Sequence, residues 1–287
     1  MLKRVGRIQI AVRDAAKAEE VVTAVFGAEE IRRDDVRALG AHRTTVQAGT
    51  SSIELLQPSG AGAVAEQLEK WGDGIFAAGF SVADVDKAAR HLEQHGVRFR
   101  NETGQLFIDA TETRGMRVVL SQHHERAPVG LIKWTYEVTN VVGDWREAAD
   151  RYRTIFDLDP SRFVPITSKE FGYTGSLLMF DSPARLDRIE LSQIVEPEKA
   201  MGRFHRRRGD SLYMFYVETD NVNAIADRLK ARAGRFAGQI DIPGATGLFV
   251  HPTAFCGTLV GVSRTEHAWL WSGDPERARR AGSTARH

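Results

Sequence analysis

Two glutamates recur in matching surroundings, Glu54 in Ile53-Glu54-Leu55 and Glu190 in Ile189-Glu190-Leu191. A carboxylate flanked by branched apolar residues on a strand has few options once buried. It pairs with a cation, it ligates a metal, or burial raises its pKa until it can move protons near neutral pH. The other residue types that carry chemistry are less well placed. His123 and His124 fall in a polar stretch before Pro128, and His251 precedes Pro252. None of them has a partner at metal-ligand spacing. Cys256 is the single cysteine and has no neighbouring His or Asp to mark a nucleophile. One cysteine also excludes an internal disulfide and a multi-cysteine zinc site.

The elements that position the two glutamates come in a repeated order. Residues 7–12 alternate and read as a strand, and residues 14–26 read as a helix. Asp14 is its expected N-cap and Gly27 its stop. Residues 44–47 and 51–56 read as strands parted by Gly49. Residues 76–82 form a strand and 85–94 a helix, and strands follow over 97–100, 105–108 and 117–121. The later chain repeats this, with a strand over 133–138 and helices over 145–156 and 222–233. Leu106-Phe107-Ile108-Asp109-Ala110-Thr111 aligns with Leu248-Phe249-Val250-His251-Pro252-Thr253, and Gly72-Asp73-Gly74-Ile75-Phe76 with Gly209-Asp210-Ser211-Leu212-Tyr213. These repeats imply two homologous halves, 1–125 and 130–270, with a flexible tail at 271–287.

Composition narrows the partners. The 287 residues carry 39 basic and 38 acidic side chains, so nucleic acid is not an expected partner. No apolar run approaches the roughly 18 residues of a membrane span. No signal-peptide core precedes the first amphipathic stretch, so a cytoplasmic protein is expected.

The paired strand-helix-strand order resembles the vicinal oxygen chelate superfamily, which includes glyoxalase I, methylmalonyl-CoA epimerase, extradiol dioxygenases and bleomycin-resistance proteins. The pattern is most similar to methylmalonyl-CoA epimerase. The matching stretches are Ile8-Gln9-Ile10-Ala11-Val12, Ile53-Glu54-Leu55-Leu56-Gln57-Pro58, Lys70-Trp71-Gly72-Asp73-Gly74-Ile75 and Gly257-Thr258-Leu259-Val260. The resemblance implies an α+β fold of four βαβββ units, forming two tandem pseudo-symmetric glyoxalase-like domains with cupped mixed sheets. It also implies four inward metal-ligand positions per half. They fall on Arg7, Glu54, Ala77 and Val119, and on Lys133, Glu190, Met214 and Gly261. A cation stands at the first position of each set, and the last two positions offer no suitable donor. No metal cofactor is therefore expected. Arg7–Glu54 and Lys133–Glu190 pairs are expected instead, either as anion-recognition and proton-transfer sites or as structural ion pairs.

Gln9, Thr135 and Glu137 share a strand face with those cations and are expected to line the pockets. A second inward carboxylate, Glu137, beside Glu190 would raise the pKa of one of them. Phe76, Tyr136, Tyr213 and Phe215 are candidates to stack on an aromatic ligand, or are plain core. Arg206-Arg207-Arg208 is read as a charged loop or as a phosphate site. The expected function is a metal-independent, glyoxalase-like protein that binds a small aromatic or anionic ligand, with the second half as the likelier pocket. The alternative is an acyl-CoA epimerase, isomerase or lyase with Glu190 or Glu54 as base. A monomer or homodimer is compatible with both.

Overall fold

A computed structural model describes residues 1–182, 184–240, 245–264 and 267–278. The first βαβββ unit is β1 (Leu2–Ala11), α1 (Ala15–Phe26), β2 (Glu29–Val36), β3 (Ala41–Ala48) and β4 (Ser51–Pro58). Helix α2 (Ala63–Trp71) leads to the second unit: β5 (Gly74–Val82), α3 (Val85–Gln94), β6 (Phe99–Glu102), β7 (Gln105–Ile108) and β8 (Val118–Gln122). The second half repeats the order with β9 (Trp134–Val142), α4 (Trp145–Phe156), β10 (Phe163–Ser168), β11 (Tyr173–Met179) and β12 (Arg188–Ile194). After α5 (Ala200–Arg208) come β13 (Ser211–Thr219), α6 (Val222–Ala231), β14 (Phe236–Gln239), β15 (Gly247–Val250) and β16 (Leu259–Arg264).

Each half is one eight-stranded mixed sheet. The orders are β2-β3-β4-β1-β5-β8-β7-β6 and β10-β11-β12-β9-β13-β16-β15-β14, the same path twice. The four units share one local device. An Asp or Asn ends the central strand and caps the helix that follows: Asp14, Asp84, Asp144 and Asn221 each accept a hydrogen bond from a first-turn backbone N–H. That cap fixes where strand stops and helix starts, and so sets which strand residues face inward.

The helix-covered faces of the two sheets meet in a common core. Phe80 of the first half packs edge-on against Phe156 and Phe180 of the second, with centroids at 6.2 and 5.5 Å. Phe26 meets Phe255 at 4.9 Å. The opposite faces form separate, smaller clusters. In the first half these are Leu56, Phe76, Ala77, Phe107 and Val119; in the second, Tyr136, Leu177, Met179, Leu186 and Trp269. These are the two cups.

Several elements differ from the sequence reading. Strand β2 has the run Glu-Glu-Ile-Arg-Arg-Asp-Asp-Val and is mostly exposed. It is an edge strand whose charges disfavour pairing with another chain, and its burial leaves no alternation to detect. Arg206-Arg207-Arg208 ends helix α5 rather than forming a loop, with Arg208 stacked 4.7 Å from the Trp71 ring. The expected flexible tail begins inside ordered structure: Trp269 and Ser272 are buried, and Arg277 covers Trp269 at 4.6 Å. Residues 279–287 of that segment lie outside the described residues. No helix among the described residues is long and apolar enough to cross a membrane.

Candidate functional site

In the first cup, β1 pairs in parallel with β4 so that Gln9 lies opposite Glu54. Arg7 donates to Glu54 Oε1 at 2.5 Å and Gln9 to Oε2 at 2.8 Å. Arg43, itself buried, approaches both oxygens at 3.4 and 3.5 Å. It also donates to Asp34 at 2.6 Å and Gln105 at 2.7 Å, and Arg7 reaches Ser121 at 2.6 Å. Gly79, opposite Arg7 on β5, makes room for this. A Cβ there would lie 1.8 Å from Arg7 Cγ. Burial opposes ionisation of Glu54, but the charges of Arg7 and Arg43 and the Gln9 hydrogen bond outweigh it. Its pKa is held below the ordinary value. Glu54 is an ionised carboxylate with its lone pairs already engaged.

In the second cup, β9 pairs with β12 so that Thr139 lies opposite Glu190 and Glu137 opposite Arg188. Glu137 therefore takes the place of Arg7. The two stand at the same spacing before their capping aspartates, Asp14 and Asp144. Lys133 lies before β9 begins, and the expected Lys133–Glu190 pair does not form. Its ammonium instead meets Asp220 at 2.9 Å. Glu137 is buried and accepts from Arg188 Nε at 2.6 Å and from the Thr139 hydroxyl at 3.3 Å. Glu190 accepts from the Ser192 hydroxyl at 2.6 Å. Burial first, and the neighbouring Glu137 carboxylate second, push the Glu190 pKa up to about 8. Burial and the same two acids also raise the Tyr173 hydroxyl, keeping it neutral. The same β-strand position thus holds an ion-paired carboxylate in one half and a protonatable acid in the other.

Both cups open into cavities. A cavity of about 450 Å³ in the first half has Gln9, Phe76, Ala77, Phe107 and Val119 in its lining, with Arg98, Arg100 and Arg117 at its mouth. In the second half two cavities of about 700 and 400 Å³ share Glu170, Glu190, Tyr173, Tyr216, Phe171 and Phe249. Phe249 joins Tyr216 and Phe171 edge-on at 5.7 and 5.8 Å. Tyr213 and Met214 line the smaller cavity. The larger is also lined by Ser263, His267 and Trp271.

The sequence candidates divide accordingly. Arg7, Gln9 and Glu54 meet, and so do Glu137 and Glu190. Tyr136 is buried beneath the Arg188 guanidinium, 5.0 Å from its ring, with its hydroxyl 3.0 Å from Ser263 Oγ. Phe215 belongs to the shared core, 6.3 Å from Phe255, and lines neither cavity. Thr135 is buried where the halves meet, its backbone N–H donating to Ser51 Oγ at 3.0 Å. Thr135 departs from the pocket role expected of it because β9 carries a register shift against β13 between Tyr216 and Val217, and Phe215 because it alternates with Met214 and Tyr216, which face the cup. The sequence reading missed Arg188, Tyr216, Tyr173, Phe171 and Phe249. Arg188 and Tyr216 stand two residues from Glu190 and Met214, so strand alternation was a usable signal for them. The others sit on neighbouring strands or turns, and nothing local marks them.

The donor set does not suit the four-ligand metal site that the resemblance implies. The first cup offers Arg7, Glu54, Ala77 and Val119. The second offers two carboxylates, of which Glu137 is engaged by Arg188, with a thioether at Met214 and no side chain at Gly261. The Tyr216 ring fills the space over Gly261, where a Cβ would lie 2.1 Å from it. Among the described residues no three His, Cys, Asp or Glu side chains converge as a metal site.

Comparison with known proteins places this geometry. A mutant of 4-hydroxymandelate synthase from Streptomyces coelicolor superposes with a TM-score of 0.69, covering 97% of this chain and 100% of that one at 13% identity. A fusion of a xylose isomerase-like TIM barrel with 4-hydroxyphenylpyruvate dioxygenase gives a TM-score of 0.63 at 12% identity, covering 98% of this chain and 53% of that one. Methylmalonyl-CoA epimerase from Mycobacterium tuberculosis covers 47% of this chain and 89% of its own at 19% identity, with a TM-score of 0.40. The search of curated proteins found no match. At these identities the first two similarities establish the two-domain fold. Residues 4–119 match the model of the Glyoxalase/Bleomycin resistance protein/Dioxygenase superfamily. That match spans 116 of the 287 residues, and the second half repeats the fold of the first.

Proposed function

We propose that this is a metal-independent, glyoxalase-like protein that binds a small aromatic ligand in the second-half cup and hydrogen-bonds it through Glu190. The observation that carries this reading is the protonatable Glu190 at a cavity lined by Tyr173, Tyr216, Phe171 and Phe249. With a pKa of about 8, Glu190 keeps its proton in most molecules at pH 7. A neutral carboxyl donates to a ligand oxygen while the ring edges and faces around it sort flat apolar bodies. A carboxylate ligand brought to the Glu190 end would meet the charge of Glu137, so a carbonyl or ether oxygen suits that end better.

A second reading is favoured by the same raised pKa. Above pH 8 Glu190 is a buried base strong enough to take a proton from a carbon acid next to a carbonyl, and it returns that proton to the resulting enolate. This is the chemistry of an epimerase or isomerase, and needs no redox partner. Thermal-shift and calorimetric screening of neutral aromatic carbonyl compounds and acyl-CoA esters separates the readings. Glu190→Gln should weaken a bound aromatic ketone about tenfold or less, since Gln still donates. In an enzyme the same change should lower the rate of solvent deuterium exchange at the ligand's α-carbon at least about 100-fold. Failure of every such compound to shift the wild type at millimolar concentration would sink both.

A further inference from the structure

A smaller pocket lies at the seam of the two halves. It is walled by β1 near its start, the ends of β5 and β8, the linker residues 122–126 and, from the second half, Arg185. Its volume is about 50 Å³. At roughly 10–15 Å³ per water, that admits a few waters or one tetrahedral oxyanion. Four arginines line it: Arg4, Arg7, Arg126 and Arg185. Three of them have acids. Arg7 pairs with Glu54 at 2.5 Å, Arg185 pairs with the buried Asp187 at 2.7 Å, and Arg4 lies 3.7 Å from Asp181. Arg126 has no acid partner among the described residues, and its side chain donates there only to the Ser52 hydroxyl, at 2.5 Å. Glu125, the one acid in the lining, is exposed and meets His123 at 2.9 Å.

The free donors are within reach of the pocket. Arg126 is half-buried, and its Nε and Nη2 keep accessible surface with no hydrogen-bond partner among the described residues. Arg185 is 26% exposed and rests over the Trp134 ring at 4.4 Å. It donates to Asp187 through Nε alone, which leaves both terminal nitrogens. The Ser121 hydroxyl accepts from Arg7 Nη2 at 2.6 Å, so its own hydrogen is left to give. Burial and the Arg7 charge both disfavour the Arg126 cation, and Glu54 offsets them only in part. An arginine does not shed its proton, so the imbalance calls for an anion from outside the chain.

We propose that this pocket binds one tetrahedral oxyanion, a phosphate or sulfate group, held by the free N–H groups of Arg126 and Arg185 and by the Ser121 hydroxyl. Planar guanidinium forks match the edges of such a group. The site is apart from the cavities of both cups and does not depend on the reading given for the second one.

The test uses the whole chain, with unfolding midpoints measured in phosphate, sulfate and chloride at matched ionic strength, since screening alone moves every midpoint. Millimolar phosphate should raise the midpoint above that in chloride and shift the Gly6, Gln122 and Arg126 backbone amide signals. Arg126→Met should weaken phosphate at least about tenfold. Arg126→Lys keeps the charge without the fork and should fall between that variant and the wild type. Phenyl phosphate distinguishes the source. Affinity within about tenfold of the free ion's means the end of a monoester whose body leaves past the exposed His124, and weaker binding means the free ion. The proposal is overturned by equal midpoints in phosphate and chloride, by full phosphate affinity in Arg126→Met, or by signals that move only along residues 203–208 of α5.

Discussion

Glu54 and Glu190 occupy the same place in two copies of one fold and differ in almost everything else. Glu54 has two arginines and a glutamine on its oxygens. Glu190 has a serine hydroxyl and, nearby, a second glutamate. The exchange at the matching first-strand position, Arg7 against Glu137, is one part of the difference; Thr139 stands where Gln9 does, and burial at Glu190 is not offset by a second arginine like Arg43. With the arginine, the carboxylate is a fixed anion and its neighbours are committed. With the glutamate, the guanidinium of Arg188 serves Glu137, and Glu190 keeps a proton it can give or lose. The fold supplies two cups of equal standing, and local charge decides which one has acid–base capacity.

The largest effect should come from opening the first cup's lock. Arg7→Ala leaves Glu54 buried with one remaining arginine at long range. It should cost about 3–5 kcal/mol of stability, since losing one partner strands a buried charge. Chemical denaturation measures this, and Arg7→Met with Glu54→Gln should recover most of it. A small effect from Arg7→Ala alone would mean that Arg43 or solvent suffices.

Next comes the pH dependence of the second cup. The Glu190 pKa is raised from 4.5 to about 8, so between those values the folded chain holds a proton that the unfolded chain releases. Stability must therefore fall as pH rises through that window, by up to about 1.4 kcal/mol per pH unit, and level off above it. Glu190→Gln should flatten this slope and stabilise the protein at pH 8 relative to the wild type. Glu54 acts in the opposite sense. Its pKa is lowered, so its contribution is present above the ordinary range near 4.5 and is lost as pH falls through its folded value. Denaturation midpoints across pH 5 to 9 for both proteins check the slope.

A smaller change tests the cause. Glu137→Gln removes the like charge beside Glu190 but not its burial. The Glu190 pKa should fall, through loss of the Glu137 charge and release of the Arg188 charge that it neutralised, while burial still opposes ionisation. The smallest effect is expected at Lys133, whose partner Asp220 is largely exposed. Lys133→Ala should change stability by no more than about 1 kcal/mol and leave ligand binding in the second cup untouched.

Much of this was legible in the sequence, for physical reasons that can be named. The aligned stretches 72–76 with 209–213 and 106–111 with 248–253 carry the repeat, and the Ile-Glu-Leu triplets mark the two glutamates. The Arg7–Glu54 pair followed from that alignment. The first strand of the second half was harder. Its capping aspartate, not its leading basic residue, sets the register, so Lys133 was matched to Arg7 where Glu137 belongs. The aromatic wall was not readable, because Phe171, Tyr173 and Phe249 come from separate strands and turns that meet only in the folded cup. Strand β2 escaped notice because an exposed, charged edge has no apolar face to reveal its period.

The most direct test of the central claim is a titration of the carboxyl carbons by ¹³C NMR on glutamate-labelled protein, with Glu190→Gln and Glu54→Gln used for assignment. The account predicts a Glu190 signal that is protonated at pH 7 with a midpoint near 8, and a Glu54 signal already ionised at pH 4.5. A Glu190 signal that stays ionised from pH 5 to 9 would contradict it, and would return the second cup to the status of the first.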